Sequence, residues 1–434
     1  MATLTIVMVL FFVMAMVAAY TNRNLIFEQR TSANSFRSAQ ALTVAEAGVD
    51  WALAMLNGGT IGEDCVGVAG GNTDFRSRYL NLGVDGAFTT SFWPSASGNV
   101  TPTPSCVMSE TGWNCSCPNG PTVALPVSGA EAPVVFRITL ERVPSTEAGV
   151  KAYPGVVPLT VRGCTAALKG QIDASNVNSD SSCHRSDTNN LTEVDAQAGI
   201  NVALGLVSAL PVAPVAPLTV GGAITQAPAS TLRASNPDPS TGVALHAGGD
   251  ITDLTAIQTV GPAGSAADLL LRNDAEMNTM AASSDTFFQA LFGMMPADYQ
   301  EQPAAVKVAC GGGCTSSTNL APVLISNPTR VIWINGNLTF DVAATFGSAN
   351  QPVMIVVTGN LTFSAPVTVY GAIYSGGNVI WTAGGGTVIG AVVAIGSYTG
   401  SGNATFAYDQ GVVRRLRQSY GSFVRVPGSW RIQY

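Results

Sequence analysis

MATLTIVMVLFFVMAMVAAY, residues 1–20, holds 18 apolar side chains, two threonines and no charge. At 1.5 Å per residue a helix of that length spans about 30 Å, the thickness of a bilayer's hydrocarbon core. The first charged residue is Arg23. No basic stretch precedes the run and no small-residue cleavage pattern follows it, so it does not read as a removable secretory signal. The expectation is a processed chain with its start at Met1, left when a basic leader is cut away.

The helical signal continues past the apolar run. No Gly or Pro occurs from residue 1 to residue 47, although the chain has 46 Gly and 24 Pro. Further on, Leu42, Ala45, Val49, Ala52 and Leu56 recur at three- and four-residue intervals and define one buried stripe. Asn57-Gly58-Gly59 is a stop signal. The pattern predicts one continuous helix over 1–57, about 85 Å long. Between its two apolar parts lies EQRTSANSFRSAQ (28–40). Its small and polar side chains suit helix-on-helix packing, where backbones approach closely.

ATLTIVMVLFFVMAMVAAYTNRNLIFEQR (2–30), together with AEAGVDWALAMLN (45–57), resembles the N-termini of PilX-like type IV pilus assembly proteins. YDQGVV (408–413) and SWRIQY (429–434) resemble them more weakly. The resemblance implies a prepilin cut just before the apolar run and assembly through this helix. Met1, Thr5, Phe11, Phe12, Tyr20, Arg23, Glu28 and Arg30 would then be its assembly residues. Major pilins carry Glu at the fifth mature position, where it neutralises a neighbour's terminal amine. Thr5 stands there in this chain, which points to a minor or tip-associated subunit. The Gly and Pro that loosen the helix near residues 14–22 in that family are missing too.

Length and composition frame the rest. A chain of 434 residues accommodates two or three domains. With 11% charged and 47% hydrophobic residues, it suits an all-β, turn-rich outer region built largely from small side chains. A net charge of −7, with Lys only at 151, 169 and 307, gives no basic field for a phosphate backbone, so nucleic acid is not expected as a partner. The eight cysteines are Cys65, Cys106, Cys115, Cys117, Cys164, Cys183, Cys310 and Cys314. All lie beyond the helix, where export favours disulfides. Metal is the rival reading, but there are only two His and no second two-ligand motif at finger spacing. No Cys-x-x-Cys-His occurs, so covalent haem is excluded, and no cofactor is expected. Cys310–Cys314 and Cys164–Cys183 are the expected local loops.

Residues 58–200 read as a disulfide-stapled, loop-rich β domain on the helix. VVFRITLERV (134–143) alternates as a half-buried strand, and VVPLTVRGCT (156–165) reads as its antiparallel partner. From about 201 a repeat appears. Gly336-Asn-Leu-Thr-Phe returns at Gly359, as Gly377-Asn-Val-Ile-Trp, and as Gly402-Asn-Ala-Thr-Phe, with fainter copies at Gly222 and Gly249. A Gly-Asn turn followed by a β-branched or aromatic strand, at intervals near twenty residues, predicts a parallel β-solenoid-like domain over 201–434. Phe340, Phe363, Trp381 and Phe406 would stack as its inner ladder. A helical insertion is expected near 264–295.

Chemistry is scarce. From 331 to 434 the only acids are Asp341 and Asp409, too few for the acid–base pair or calcium site of a glycan-cleaving β-helix. No nucleotide loop, nucleophile elbow, zinc-protease or EF-hand pattern occurs, so no catalytic role is expected. Sequons start at Asn99, Asn190, Asn337, Asn360 and Asn403, but the last three are the repeat's own turn residues. RRLRQSYGSFVRVPGSWRIQY (414–434) carries Arg414, Arg415, Arg417, Arg425 and Arg431 among aromatics. It reads as a strand pair capping the solenoid or as a contact face for a neighbouring subunit or a polyanion.

The combined expectation is an α+β chain: a long pilin-like helix followed by a β-rich outer region with a solenoid-like C-terminal domain. Its expected function is that of a structural subunit of a type IV pilus-like filament on the cell surface. Partners would be copies of itself or other pilins, with the inner membrane holding it before assembly. Adhesion or twitching is the expected use. The alternatives are a displayed or membrane-anchored adhesin for a surface glycan or protein, and a secretion-system pseudopilin.

Overall fold

A computed structural model describes residues 2–68, 73–82, 88–90, 93–95, 98–100, 103–120, 134–140, 154–165, 196–262 and 269–433. Met1, Cys183, Asn190 and residues 264–268 of the expected helical insertion lie outside them.

Helix α1 runs without interruption over Ala2–Leu56. Nothing in it removes a backbone donor, and its threonine hydroxyls turn inward: Thr21 donates to the Val17 carbonyl at 2.9 Å and Thr31 to that of Phe27 at 2.9 Å. Only the last third is covered by the chain. Ala41, Val44, Ala45, Val49, Ala52 and Leu56 are buried against an antiparallel sheet whose central strands are Val135–Leu140, Val156–Thr165 and Ala196–Ser208. The expected partner strands do pair, Phe136 opposite Gly163 and Leu140 opposite Leu159.

The end of the chain belongs to this first sheet. Gly421–Arg425 and Arg431–Gln433 both pair antiparallel with Ala196–Ser208. The terminal segment therefore does not cap the repeat region as expected. Its first part is a helix, α7 (Gln410–Ser419), capped by Asp409, whose carboxylate accepts from the Val412 N–H at 2.9 Å. The expected boundary at residue 200 falls inside a strand that continues to Ser208.

The repeat region builds two parallel sheets around one apolar core. In the shorter sheet the strand order is Ile251–Thr252, Ile224–Gln226, Tyr398–Gly400, Val379–Trp381, Leu361–Phe363, Leu338–Phe340, Cys314–Thr315. The longer sheet runs from Ile257–Val260 through Leu232–Ser235, Ala404–Ala407, Thr387–Ala394, Thr368–Ser375, Val353–Val357 and Val331–Asn335 to Ala305–Ala309. Order in space differs from order in sequence. The early segment 218–235 lies beside 387–407, with Ile224 opposite Tyr398 and Leu218 opposite Val392, and 245–260 lies beyond it.

Identical positions meet across the strands. Phe340 and Phe363 stack with centroids 4.8 Å apart, Phe363 and Trp381 at 4.2 Å, and Trp381 meets Phe406 edge-on at 5.5 Å. All four are fully buried. The turn asparagines hold the spacing: the side-chain oxygens of Asn337, Asn360 and Asn378 accept from the backbone N–H of Asn360, Asn378 and Ser397, each at 2.8 Å. Gly371 and Gly390 permit a further close approach. A Cβ on either would sit 2.0 Å from the carbonyl oxygen of the neighbouring strand.

Short helices cover the outer surface of the longer sheet. α3 (Ala275–Ala281) and α4 (Ser284–Phe292) fall inside the 264–295 stretch where a helical insertion is expected, and α5 (Pro296–Tyr299) follows directly after it. They bring Phe287, Phe288, Phe292 and Tyr299 onto Trp333 and Tyr374, and α7 adds Val413 and Leu416.

Phe363→Ala removes the middle ring of the aromatic row. The expected cost is about 3–5 kcal/mol. A denaturant titration followed by tryptophan fluorescence should show a clearly lower midpoint, and an unchanged midpoint refutes the packing role.

Candidate functional site

Two features of α1 define the candidate surface: how its C-terminal third is held, and what its remainder exposes. The helix meets the sheet at backbone distance. A Cβ added to Gly163 would lie 2.3 Å from the Ala41 carbonyl oxygen and 2.5 Å from the Ala45 nitrogen. One added to Gly48 would lie 2.6 Å from Val161 Cγ1. Glycine and alanine at 41, 45, 48 and 163 are therefore what permit the contact.

From residue 4 to about residue 40 the helix projects uncovered for about 55 Å. Phe11 is 75% exposed, Phe12 62% and Tyr20 67%, and Phe27 and Phe36 are similarly bare. A continuous apolar surface of that size on one chain marks a lipid or protein partner. The helix is long and apolar enough to cross a membrane. Thr5, Arg23, Glu28 and Arg30 are all exposed. Among the described residues Arg23, Glu28 and Arg30 form no intrachain ion pair, so any charge compensation for them comes from outside the subunit.

At its other end α1 is locked to the folded part of the chain. Asn57 donates to the Phe423 carbonyl at 2.9 Å and accepts from the Phe423 N–H at 2.8 Å. Arg76, from the short helix α2 (Phe75–Tyr79), is fully buried beside it. Its guanidinium donates to the carbonyls of Leu56 at 2.9 Å, Ser419 at 2.7 Å and Gly421 at 3.0 Å, and lies 4.7 Å from the Phe423 ring centroid. Burial draws its pKa down to about 10, with Asp74 opposing the shift, so it stays charged at neutral pH. Asp74 also accepts from Thr329, and the Thr60 N–H donates to the Ser326 carbonyl at 3.0 Å. Neither Asn57 nor Arg76 was legible as a junction: Asn57 reads as a helix stop, and no local pattern separates Arg76 from a surface arginine.

The cysteines are oxidised, with none free among the described residues. Cys65–Cys117, Cys106–Cys115 and Cys310–Cys314 are bonded. Cys164 is bonded as well, while its expected partner Cys183 lies outside the described residues. The five C-terminal arginines are dispersed. Arg414 and Arg417 are exposed on α7, and Arg415 reaches Asn350. Arg425 pairs with Asp50 of α1 and lies over Trp430, whereas Arg431 sits on the closing strand. Among the described residues no three His, Cys, Asp or Glu side chains are grouped to hold a metal ion. Asp341 is occupied structurally: hydrogen bonds from Ser316 and Ser317 hold its carboxylate below the usual range.

Comparison with known proteins places the helix. Residues 1–50 match the PilX N-terminal family. No curated protein matches the chain. Among solved structures, the competence-associated pilin ComZ from Thermus thermophilus aligns over 92% of this chain and 97% of its own, at 12% identity and a TM-score of 0.21. A DUF3494 domain of an ice-binding protein from Shewanella frigidimarina aligns over 46% of this chain and 97% of its own, at 14% identity and a TM-score of 0.16. At those scores neither alignment specifies a fold.

Arg76→Ala leaves three carbonyls without their donor at the junction. The full chain in detergent should lose about 2–4 kcal/mol and unfold at lower temperature. Arg76→Lys should recover little, because one ammonium cannot reproduce the guanidinium fork. A wild-type melting profile for Arg76→Ala overturns the assignment.

Proposed function

We propose that this chain, which carries a type IV pilin-like PilX N-terminal segment, is a minor subunit of a pilus-like filament that displays its β-rich region outside the cell. The carrying observation is the bare apolar helix of residues 4–27 attached rigidly to a folded outer part. Exposed Leu, Phe and Met side chains in that number are stable only in lipid or among other apolar helices. Before assembly the helix resides in the inner membrane. In the filament it packs among the helices of copies of itself or of other pilins, and Arg23, Glu28 and Arg30 meet charges there.

The two parallel sheets are read as the faces of a β-solenoid-like domain. Their in-register strands, the aromatic row and the asparagine row support that reading. Such a domain serves as a stiff, displayed binding surface for adhesion, and it has no catalytic role. Three cysteine pairs and a bonded Cys164 among the described residues fit a chain that folds outside the cytoplasm.

Phe11→Glu/Phe12→Glu puts two charges into the apolar half of the helix while leaving the outer part untouched. In cells, wild-type chain should be found in the sheared filament fraction. The double variant should be absent from it, since each charge at bilayer-centre depth costs about 2.5–3.5 kcal/mol or more. Equal recovery of the two in sheared filaments refutes assembly through this helix.

A further inference from the structure

The molecule treats its two parallel sheets differently. Helices α3, α4, α5 and α7 bury the outer surface of the longer one. Among the described residues no helix covers the outer face of the shorter one, and its strands present one outward position each. Those positions are in register: Thr315, Thr339, Thr362, Ile380, Thr399, Thr225 and Thr252. All seven are exposed or half-exposed, while flanking residues such as Leu338, Phe340, Leu361 and Phe363 point inward and are buried. Six threonines among seven positions make a row about 29 Å long at the spacing of parallel strands.

We propose that this row binds a neutral, extended polysaccharide strand lengthwise, which deepens the display reading above by naming what the displayed face takes. Threonine offers a methyl and a hydroxyl at each step, and a chain of pyranose rings offers C–H surface and hydroxyls at each of its own. The hydroxyls of Thr339, Thr362 and Thr399 make no hydrogen bond to the described residues and are open to a ligand. Charge selects the class. On the five strands from Leu338 to Gln226 every side chain is uncharged, and so are the adjoining Asn337, Asn360, Asn378, Ser397, Ser364, Thr382 and Ser401. Acids appear only at the margins, at Asp341, Asp250 and Asp253. An anionic polymer finds no cation on this face, and a cationic one finds no acid along its middle. A peptide adding a β-strand needs a sheet edge, not a face. Rigidity favours a regular ligand: the asparagine row pins the strands and β-branched threonine has few rotamers to lose, so little ordering is required on binding.

The test is retention of the full chain, in detergent, on regenerated cellulose and chitin beads, against alginate beads as the anionic comparison. Wild type should be retained on at least one neutral polymer and not on alginate. Thr339→Val/Thr362→Val/Thr399→Val keeps shape and removes three hydroxyls, and should weaken retention by about tenfold. Thr368→Val, on the other sheet, should leave it unchanged. If the triple variant proves misfolded by circular dichroism, the single exposed change Thr362→Lys should abolish retention instead. The proposal is overturned by no retention of wild type on either neutral polymer, by equal retention of the row variants, or by equal loss in Thr368→Val. Arrest of ice growth without polysaccharide retention also overturns it, since the ordered ligand is then water. Incorporation of the same variants into sheared filaments is scored in parallel, so failure of the assembly reading appears there and leaves the bead result to decide this face.

Discussion

The contact between α1 and the strand Val156–Thr165 is as close as two backbones allow, and the molecule's division of labour hangs from it. Gly163 lies under Ala41 and Ala45, and Gly48 under Val161, with no space for a Cβ at either glycine. That proximity lets a single helix be core at one end and free surface at the other. The sheet captures only the stretch from Ala41 to Leu56, and the helix from residue 4 to about residue 40 stays exposed. A looser contact would require larger side chains on α1. Their apolar stripe would then compete with the small, polar composition of residues 28–40 that suits helix-on-helix assembly.

The second half of the chain is tied to the same anchor. Arg76 collects carbonyls from the end of α1 and from the segment after α7, and Asn57 pairs with both backbone groups of Phe423. Charge-assisted donors that meet three carbonyls in a buried site are directional as well as strong. The outer region is thus attached through a junction that resists rotation. The repeat region then keeps a fixed orientation to its helix, as the proposed filament role requires.

Within the repeat region the ordering of strands follows edge satisfaction, not chain order. A parallel sheet exposes unpaired backbone at each end. Placing 218–235 and 245–260 beyond the strand Ala404–Ala407 gives the last repeat a neighbour and lets the chain return through α7 to the first sheet. The helices over the longer sheet then bury Trp333, Tyr374 and Val356, leaving the threonine row of the other sheet as the uncovered regular surface.

By itself the sequence determined the periodic elements. An uninterrupted 47 residues without Gly or Pro specified one helix, because backbone propensity is local. The Gly-Asn repeat specified strands, turns and the residues of the aromatic row, because identical local sequences take the same inward and outward positions. The Cys310–Cys314 loop was legible too, from a separation of only four residues. What only the tertiary structure decided was every contact without a period. The return of Gly421–Arg425 to the first sheet, the insertion of 218–260 beyond the last repeat, the burial of Arg76 and the bareness of one sheet all depend on packing between segments up to 375 residues apart, as Asp50 and Arg425 are. Local chemistry carries no record of such pairings, since the same arginine or strand is equally stable in many places until the rest of the core selects one.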